Sequence, residues 1–380
     1  MAIIIAIIWM FVSCEKEELA NAPASERCTV LVYLGVDNNF RAEASQKIEM
    51  LTENWDKNFD GNLLVYSDTG EKPVLVHIHY TERYGNIADT IEICPIENSS
   101  SPAMLTRVLN KTKEYFPAAS YGLIVLSHAT GWLPADMSDP APILKSVILD
   151  KGVNEANNYM ELTDFADAIP YKLDFIIFDA CFMGSIEVAC ELKDKVDYIV
   201  ASPAEVLSPG FVYFSMMKHL FKFDLDLTAI AREFYEYYAA QSGLYQSATV
   251  SVVRTAGLET VISVFCEITD QILNETNIMD IQTFGYGNQK IYFDLGDYVR
   301  HLSSEKYNDF QSVLNNCILY KACTGSYYSA GTRTLQEIKT FSGLSIYIPQ
   351  TEYAIANEAY KRLKWAKRTS SGLSTTDTGI

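Results

Sequence analysis

Four runs in this chain, "CTVLVYLGV" (28–36), "GLIVLS" (122–127), "DFIIFD" (174–179) and "VDYIVA" (196–201), are apolar at nearly every position. A strand with one wet face alternates polar and apolar residues, whereas an uninterrupted apolar strand has to be covered on both faces. Between the runs lie segments with helical spacing: "FRAEASQKIEMLTENW", "SPAMLTRVLNKTKEYF" with its Ser-Pro start, the short "MELTDFADAI", and "MGSIEVACELKDK", read as a helix continuing from Cys181. Further strands are expected at "GNLLVYSD", "PVLVHIHY", "ADTIEI" and "SVILD". The pattern predicts an α/β three-layer sandwich, with helices on both faces of a largely parallel central sheet.

The pattern changes after residue 210. Helical segments over 210–242 and 255–275 flank a strand, "SATVSVVR". "QKIYFDLGDYVRHL", the polar-aromatic "GSYYSAGT", a late strand "GLSIYIP" and one amphipathic helix, "EYAIANEAYKRLKWAKR", follow. Residues 28–210 therefore read as the core, 211–368 as an appended, mostly helical region whose late strands complete that core, and 369–380 as a disordered tail.

At the other end, "AIIIAIIWMFV" (2–12) is apolar but too short to span a bilayer, and it ends at "FVSC". This arrangement resembles a bacterial lipoprotein signal over residues 1–13, with lipid on the thiol of Cys14 and residues 14–27 as a polar tether. It departs from that pattern in lacking a Lys or Arg before the apolar run and in carrying Phe11. The reading places the chain outside the cytoplasm, anchored to a membrane through lipid, with the outer membrane or cell surface as the expected location. Seven other cysteines remain, an odd number, and none forms a CxxC pair or a Cys/His cluster with zinc spacing. No metal site is expected. A formal net charge of −18 argues against nucleic acid as a partner, because a phosphate backbone would be repelled.

In open α/β sheets, sites form beyond the carboxyl ends of the strands. "GLIVLS" delivers His128 there, "DFIIFD" delivers Asp179 and Cys181, and "VDYIVA" leads into "SPAEVLSPG". A histidine and a cysteine brought to one sheet edge make a nucleophile and its base, either by proton transfer or as a thiolate–imidazolium pair. His128 lies 53 residues before Cys181, the order and spacing of caspase-type peptidases. Cys190, further along the apolar helix, reads as core, and His77 and His79 as surface residues. Asp37 to Asn39 read as a turn.

"VYLGVDNNF", "LIVLSHATGW", "FDACFMGSIEVA" and "FSGLSIYIP", in this order, resemble the clostripain family of cysteine peptidases, relatives of caspases and legumains. The resemblance covers roughly residues 28 to 365. It implies a caspase-like core, no obligatory cofactor, calcium stimulation as seen among relatives, and cleavage of proteins or peptides after Arg or Lys. Carried over by position, Cys181 is the nucleophile and His128 the base and acid. The N–H groups of Cys181 and Ala129 would hold the oxyanion. Asp179 would lie at the floor of the pocket for the basic side chain, with Glu205 as a looser second acid. Asp179 also has a simpler reading, as N-cap of a helix that begins at Cys181 and lowers the thiol pKa. Self-cleavage after Lys145 is a further expectation. The family usually has glycine where this chain has Ala129. If that position needs a positive φ, alanine costs about 1 kcal/mol or more there. Two other functions stay open: a catalytically inactive surface lipoprotein that binds peptides or proteins in the same cleft, and a ligand-binding α/β lipoprotein in which the His and Cys meet by chance.

Overall fold

The computed structural model describes residues 26–35, 41–68, 72–95, 98–135, 147–150, 158–221, 224–270 and 277–369. Cys14, Asp37 to Asn39 and Lys145 lie outside the described residues. Strands in chain order are β1 (Glu26–Gly35), β2 (Asn62–Asp68), β3 (Val74–Thr81), β4 (Gly85–Ile93), β5 (Ala118–Leu126), β6 (Ile148–Asp150) and β7 (Asn158–Met160). They continue as β8 (Leu173–Asp179), β9 (Val196–Ala201), β10 (Thr249–Arg254), β11 (Phe293–Asp294), β12 (Ile318–Cys323), β13 (Ser326–Ser329), β14 (Thr334–Glu337) and β15 (Ser345–Ile346).

Nine of them form one sheet in the order β12-β10-β9-β8-β5-β1-β2-β3-β4. The block from β2 through β1, β5 and β8 to β9 is parallel. The strands added at either end are antiparallel. The four fully apolar runs are β1, β5, β8 and β9, the centre of the sheet, and their alternate residues face opposite layers. Leu31 and Tyr33 enter one buried cluster while Val30, Val32 and Leu34 enter the other.

Helices α1 (Arg41–Glu53), α2 (Pro102–Tyr115), α3 (Leu162–Ala168), α4 (Ile186–Leu192), α5 (Tyr213–Phe221), α6 (Leu227–Ala239), α7 (Leu258–Thr269), α8 (Leu295–Leu302), α9 (Tyr307–Cys317), α10 (Ala354–Tyr360) and α11 (Lys364–Thr369) complete the layers. Side chains of α1, α5 and α6 fill the cluster with Val30. Those of α2, α3, α4, α7 and α11 fill the other. The chain beyond residue 210 thus contributes to both helix layers and supplies β10 and β12 to the same sheet.

Two local expectations change. No helix starts at Cys181: α4 begins at Ile186, where the Ser185 side chain accepts from the Val188 N–H as N-cap. The glycine and serine at 184 and 185 are spent on a junction, since the Gly184 N–H bonds Ser202 O and its carbonyl accepts from the Ser345 N–H. The final amphipathic segment is two helices. Between α10 and α11, Arg362 and Leu363 make tighter turns back to Ala359 and Tyr360, and the Glu191 carboxylate takes the Lys364 N–H at 3.0 Å. That break lets Trp365 bury completely.

Candidate active site

Leu126 of β5 and Asp179 of β8 are partners in the parallel register. His128 and Cys181 each follow their partner by two residues, so the sheet delivers both to one level on adjacent strands, which run about 4.8 Å apart. Both are partly exposed and both line one cavity of about 290 Å³ at the strand ends. Glu43 of α1, Asp179, Glu205, Ser208, Tyr286 and Tyr328 contribute to the same walls. Tyr328 comes from the polar-aromatic "GSYYSAGT".

The Cys181 Sγ accepts the Val206 N–H at 3.3 Å. Burial, with the Glu205 carboxylate adding to it, pushes its thiol up to about 12. No helix N-terminus offsets this, because α4 starts five residues later. Both effects disfavour the thiolate. Phe182, the next residue, adopts a φ of 60°, a left-handed conformation costing a non-glycine residue roughly 1–2 kcal/mol. It is held there by a bond from its N–H to Ala204 O at 3.0 Å and by a parallel stack on Tyr292, with ring centroids 4.6 Å apart.

The loop after His128 is fixed from the far end of the chain. Tyr292 donates its hydroxyl to Thr130 O at 2.7 Å, and Trp132, 3% exposed, packs on Tyr347. Gly131 is the left-handed position, with φ at +67°. Ala129 is buried and has no positive φ, so alanine carries no backbone penalty there. Among the described residues, no acceptor takes the N–H of Ala129 or of Cys181.

Asp179 lies at the inner end of the cavity, and its carboxylate is already engaged. Lys47 Nζ donates to Oδ2 at 3.3 Å, and the Phe211 N–H donates to Oδ1 at 3.2 Å. Burial pushes the carboxyl above its ordinary range, opposed by the Lys47 ammonium. Asp179 caps no helix, since Ser185 holds that role. Glu205 sits across the cavity, accepting from the Ala330 N–H at 2.8 Å. Burial, against bonds from Ala330 and Ser329, pushes it up to about 7.

Cys190 is fully buried in α4, as core. His77 and His79 stack on one another in β3, half-buried, away from the cavity lining. All seven described cysteines are free. Among the described residues, no group of three or more Cys, His, Asp or Glu side chains is placed to hold a metal ion, and no helix is long and apolar enough to cross a membrane. The sequence reading missed Glu43, Lys47 and Tyr292. The first two are spaced i, i+4 on one helix face, a signal indistinguishable from an ordinary surface ion pair.

A strand-end cysteine beside a strand-end histidine, in a doubly covered parallel sheet, is the arrangement of an α/β cysteine peptidase. The chain belongs to the clostripain family, whose model matches residues 32–371. Clostripain of Hathewaya histolytica is 23% identical over 224 residues, a match covering 51% of this chain and 42% of that protein. Among solved structures, an inactive zymogen C11 protease of Parabacteroides distasonis is 32% identical with a TM-score of 0.79, covering 92% of this chain and 99% of the other. A secreted C11 cysteine protease of Bacteroides thetaiotaomicron, solved with an irreversible peptide inhibitor, is 26% identical with a TM-score of 0.81. That match covers 91% of this chain and 99% of the other.

Proposed function

We propose that this protein is an endopeptidase that cuts after Arg or Lys through Cys181 and His128. The register pairing of Leu126 with Asp179 carries the reading, because it delivers the nucleophile and the base to one cavity. With the thiol held up at about 12, a preformed thiolate–imidazolium pair is disfavoured. The Cys181 proton passes to His128 as sulfur attacks the substrate carbonyl carbon. The carbonyl oxygen takes the negative charge and is met by the N–H groups of Cys181 and Ala129. Collapse breaks the C–N bond, and the leaving amine takes the proton from His128. Water then gives a proton to His128 and attacks the thioester; the departing sulfur recovers that proton and the carboxylic product leaves.

The feature favouring an inactive relative was Ala129. Its ordinary backbone supports an intact oxyanion loop. The test is turnover of a fluorogenic arginyl peptide by the full chain and by Cys181→Ala. Turnover confined to the unmodified chain is expected; equal signals from both proteins would overturn the reading.

Self-cleavage after Lys145 belongs to the same proposal and predicts two fragments that a Cys181→Ala preparation does not yield. A chelator in the peptide assay tests calcium stimulation. Lipid attachment at Cys14, outside the cytoplasm, predicts incorporation of a labelled fatty acid that Cys14→Ser loses.

A further inference from the structure

The segments that follow His128 and Cys181 touch each other at one place. Phe182, next after Cys181, holds its left-handed φ of 60°. Gly131 is left-handed at +67°, and a methyl group there would stand 2.7 Å from Phe182 O. Tyr292 closes this junction. Its ring stacks on Phe182, with centroids 4.6 Å apart and planes 10° from parallel, and its hydroxyl donates to Thr130 O at 2.7 Å. The same oxygen accepts from the Leu133 N–H at 3.3 Å. Both Tyr292 contacts fall one residue after an N–H assigned to the oxyanion: Phe182 after Cys181, Thr130 after Ala129.

The backbone that carries Tyr292 is pinned from two sides. Its carbonyl accepts from the Phe284 N–H at 2.8 Å. The next residue, Phe293, pairs with Ile346 of β15, and the Ser345 N–H of that strand bonds Gly184 O, just beyond Cys181. The Tyr292 side chain is buried. Burial, with Glu187, Cys181 and Glu205 facing it, pushes its hydroxyl well above the ordinary range, so it stays a donor. A buried ring fixed at both ends passes its position on to the groups it touches, and two donors supplied by separate loops need that to meet one oxygen.

We propose that Tyr292 is a positioning residue that sets the spacing of the two oxyanion donors, the Cys181 and Ala129 N–H groups, by clamping Phe182 and Thr130 at once. This rests on the peptidase reading and adds to it a residue outside the cavity lining. Its effect falls on the transition state, where the carbonyl oxygen carries charge, and spares the bound substrate, where it does not.

The test is Tyr292→Phe, which keeps the ring stack and removes the bond to Thr130. For a fluorogenic arginyl peptide, kcat should fall about 10-fold with KM kept within about two-fold. Binding of an arginyl peptide aldehyde, whose adduct on Cys181 carries the oxyanion, should weaken about as much as kcat falls. Alkylation of Cys181 by iodoacetamide, which forms no oxyanion, should keep its rate when followed by mass at that residue. Tyr292→Leu, which loses the stack as well, should cut kcat about 100-fold. Phe265→Leu, buried in α7 and packed on Trp365, should lower the melting temperature and keep kcat. Unchanged kcat and aldehyde affinity in Tyr292→Phe, a loss carried by KM, alkylation slowed as much as turnover, or an equal loss of kcat in Phe265→Leu each overturns this assignment and leaves the peptidase reading standing. An unmodified chain without turnover overturns both.

Discussion

The two walls of the cavity are built by different means. The wall with His128 and Cys181, catalytic on the proposed function, is set by strand register: two apolar strands pair in parallel and their ends deliver the two side chains to one level. The opposite wall, from Glu205 to Gly210, is set by side chains and amides drawn from distant parts of the chain. Lys47 and Asp179 are 132 residues apart, and Glu205 and Ala330 are 125 apart. On the proposed function, the contrast makes reaction chemistry depend on the sheet and selectivity on buried charges that each need a partner. Changes to the first wall should stop chemistry and leave the fold; changes to the second should cost stability or selectivity.

The largest effect should follow Cys181→Ala, which removes the nucleophile and should cut turnover at least about 1,000-fold. Its melting temperature should stay near that of the unmodified chain, as scanning calorimetry would show. An inactive variant that is also unfolded would blur the distinction between the walls.

Next comes Lys47→Met. Removing one partner of a buried ion pair leaves the other charge without compensation, at a cost of about 3–5 kcal/mol. Urea unfolding should show a loss of that order. A loss below about 1 kcal/mol would mean that the Lys47–Asp179 pair does not organise the second wall.

A third prediction concerns Glu187, buried in α4 beneath the His128 loop. One of its oxygens accepts the Tyr347 N–H at 2.7 Å and the other has no partner. Tyr292 and Tyr360 also face it. Burial, only partly offset by hydrogen bonds, pushes its carboxyl up to about 7. The native chain therefore holds this proton more tightly than the unfolded chain. The resulting stability is fully present below about pH 4.5 and is lost as pH rises through about 7. Asp294, raised by burial to about 6, acts in the same sense. Glu187→Gln should flatten part of the decline between about pH 5 and 7.5, with a gain of up to about 3 kcal/mol above it. Melting temperatures across that range provide the check, and an unchanged slope would contradict it.

Ala129→Gly should do least. Because Ala129 has no positive φ, glycine relieves no strain and should cost about 0.5–1 kcal/mol through added chain freedom. Peptide turnover should change less than about three-fold by the same argument. A large rise in rate would show that the methyl group obstructs the oxyanion loop.

The same contrast explains what could be read from the chain. The doubly buried strands are visible as uninterrupted apolar runs, and a strand end followed by His128 or by Cys181 is a local pattern. The second wall has no such trace. Glu43 and Lys47 look like any surface pair on a helix, and only the folded chain shows Lys47 buried against Asp179. The start of α4 was misplaced for a related reason. "FMGS" is compatible with helix by composition, but Phe182 and Gly184 are drawn into bonds with Ala204 and Ser202, a tertiary demand that overrides local propensity.

The most direct test of the central claim is to treat the full chain and its His128→Ala variant with an arginyl chloromethylketone peptide and locate the adduct by mass. The account predicts a single adduct on Cys181 and labelling slowed at least about 100-fold without His128. An adduct on another cysteine, or labelling of Cys181 at the same rate in both proteins, would contradict it.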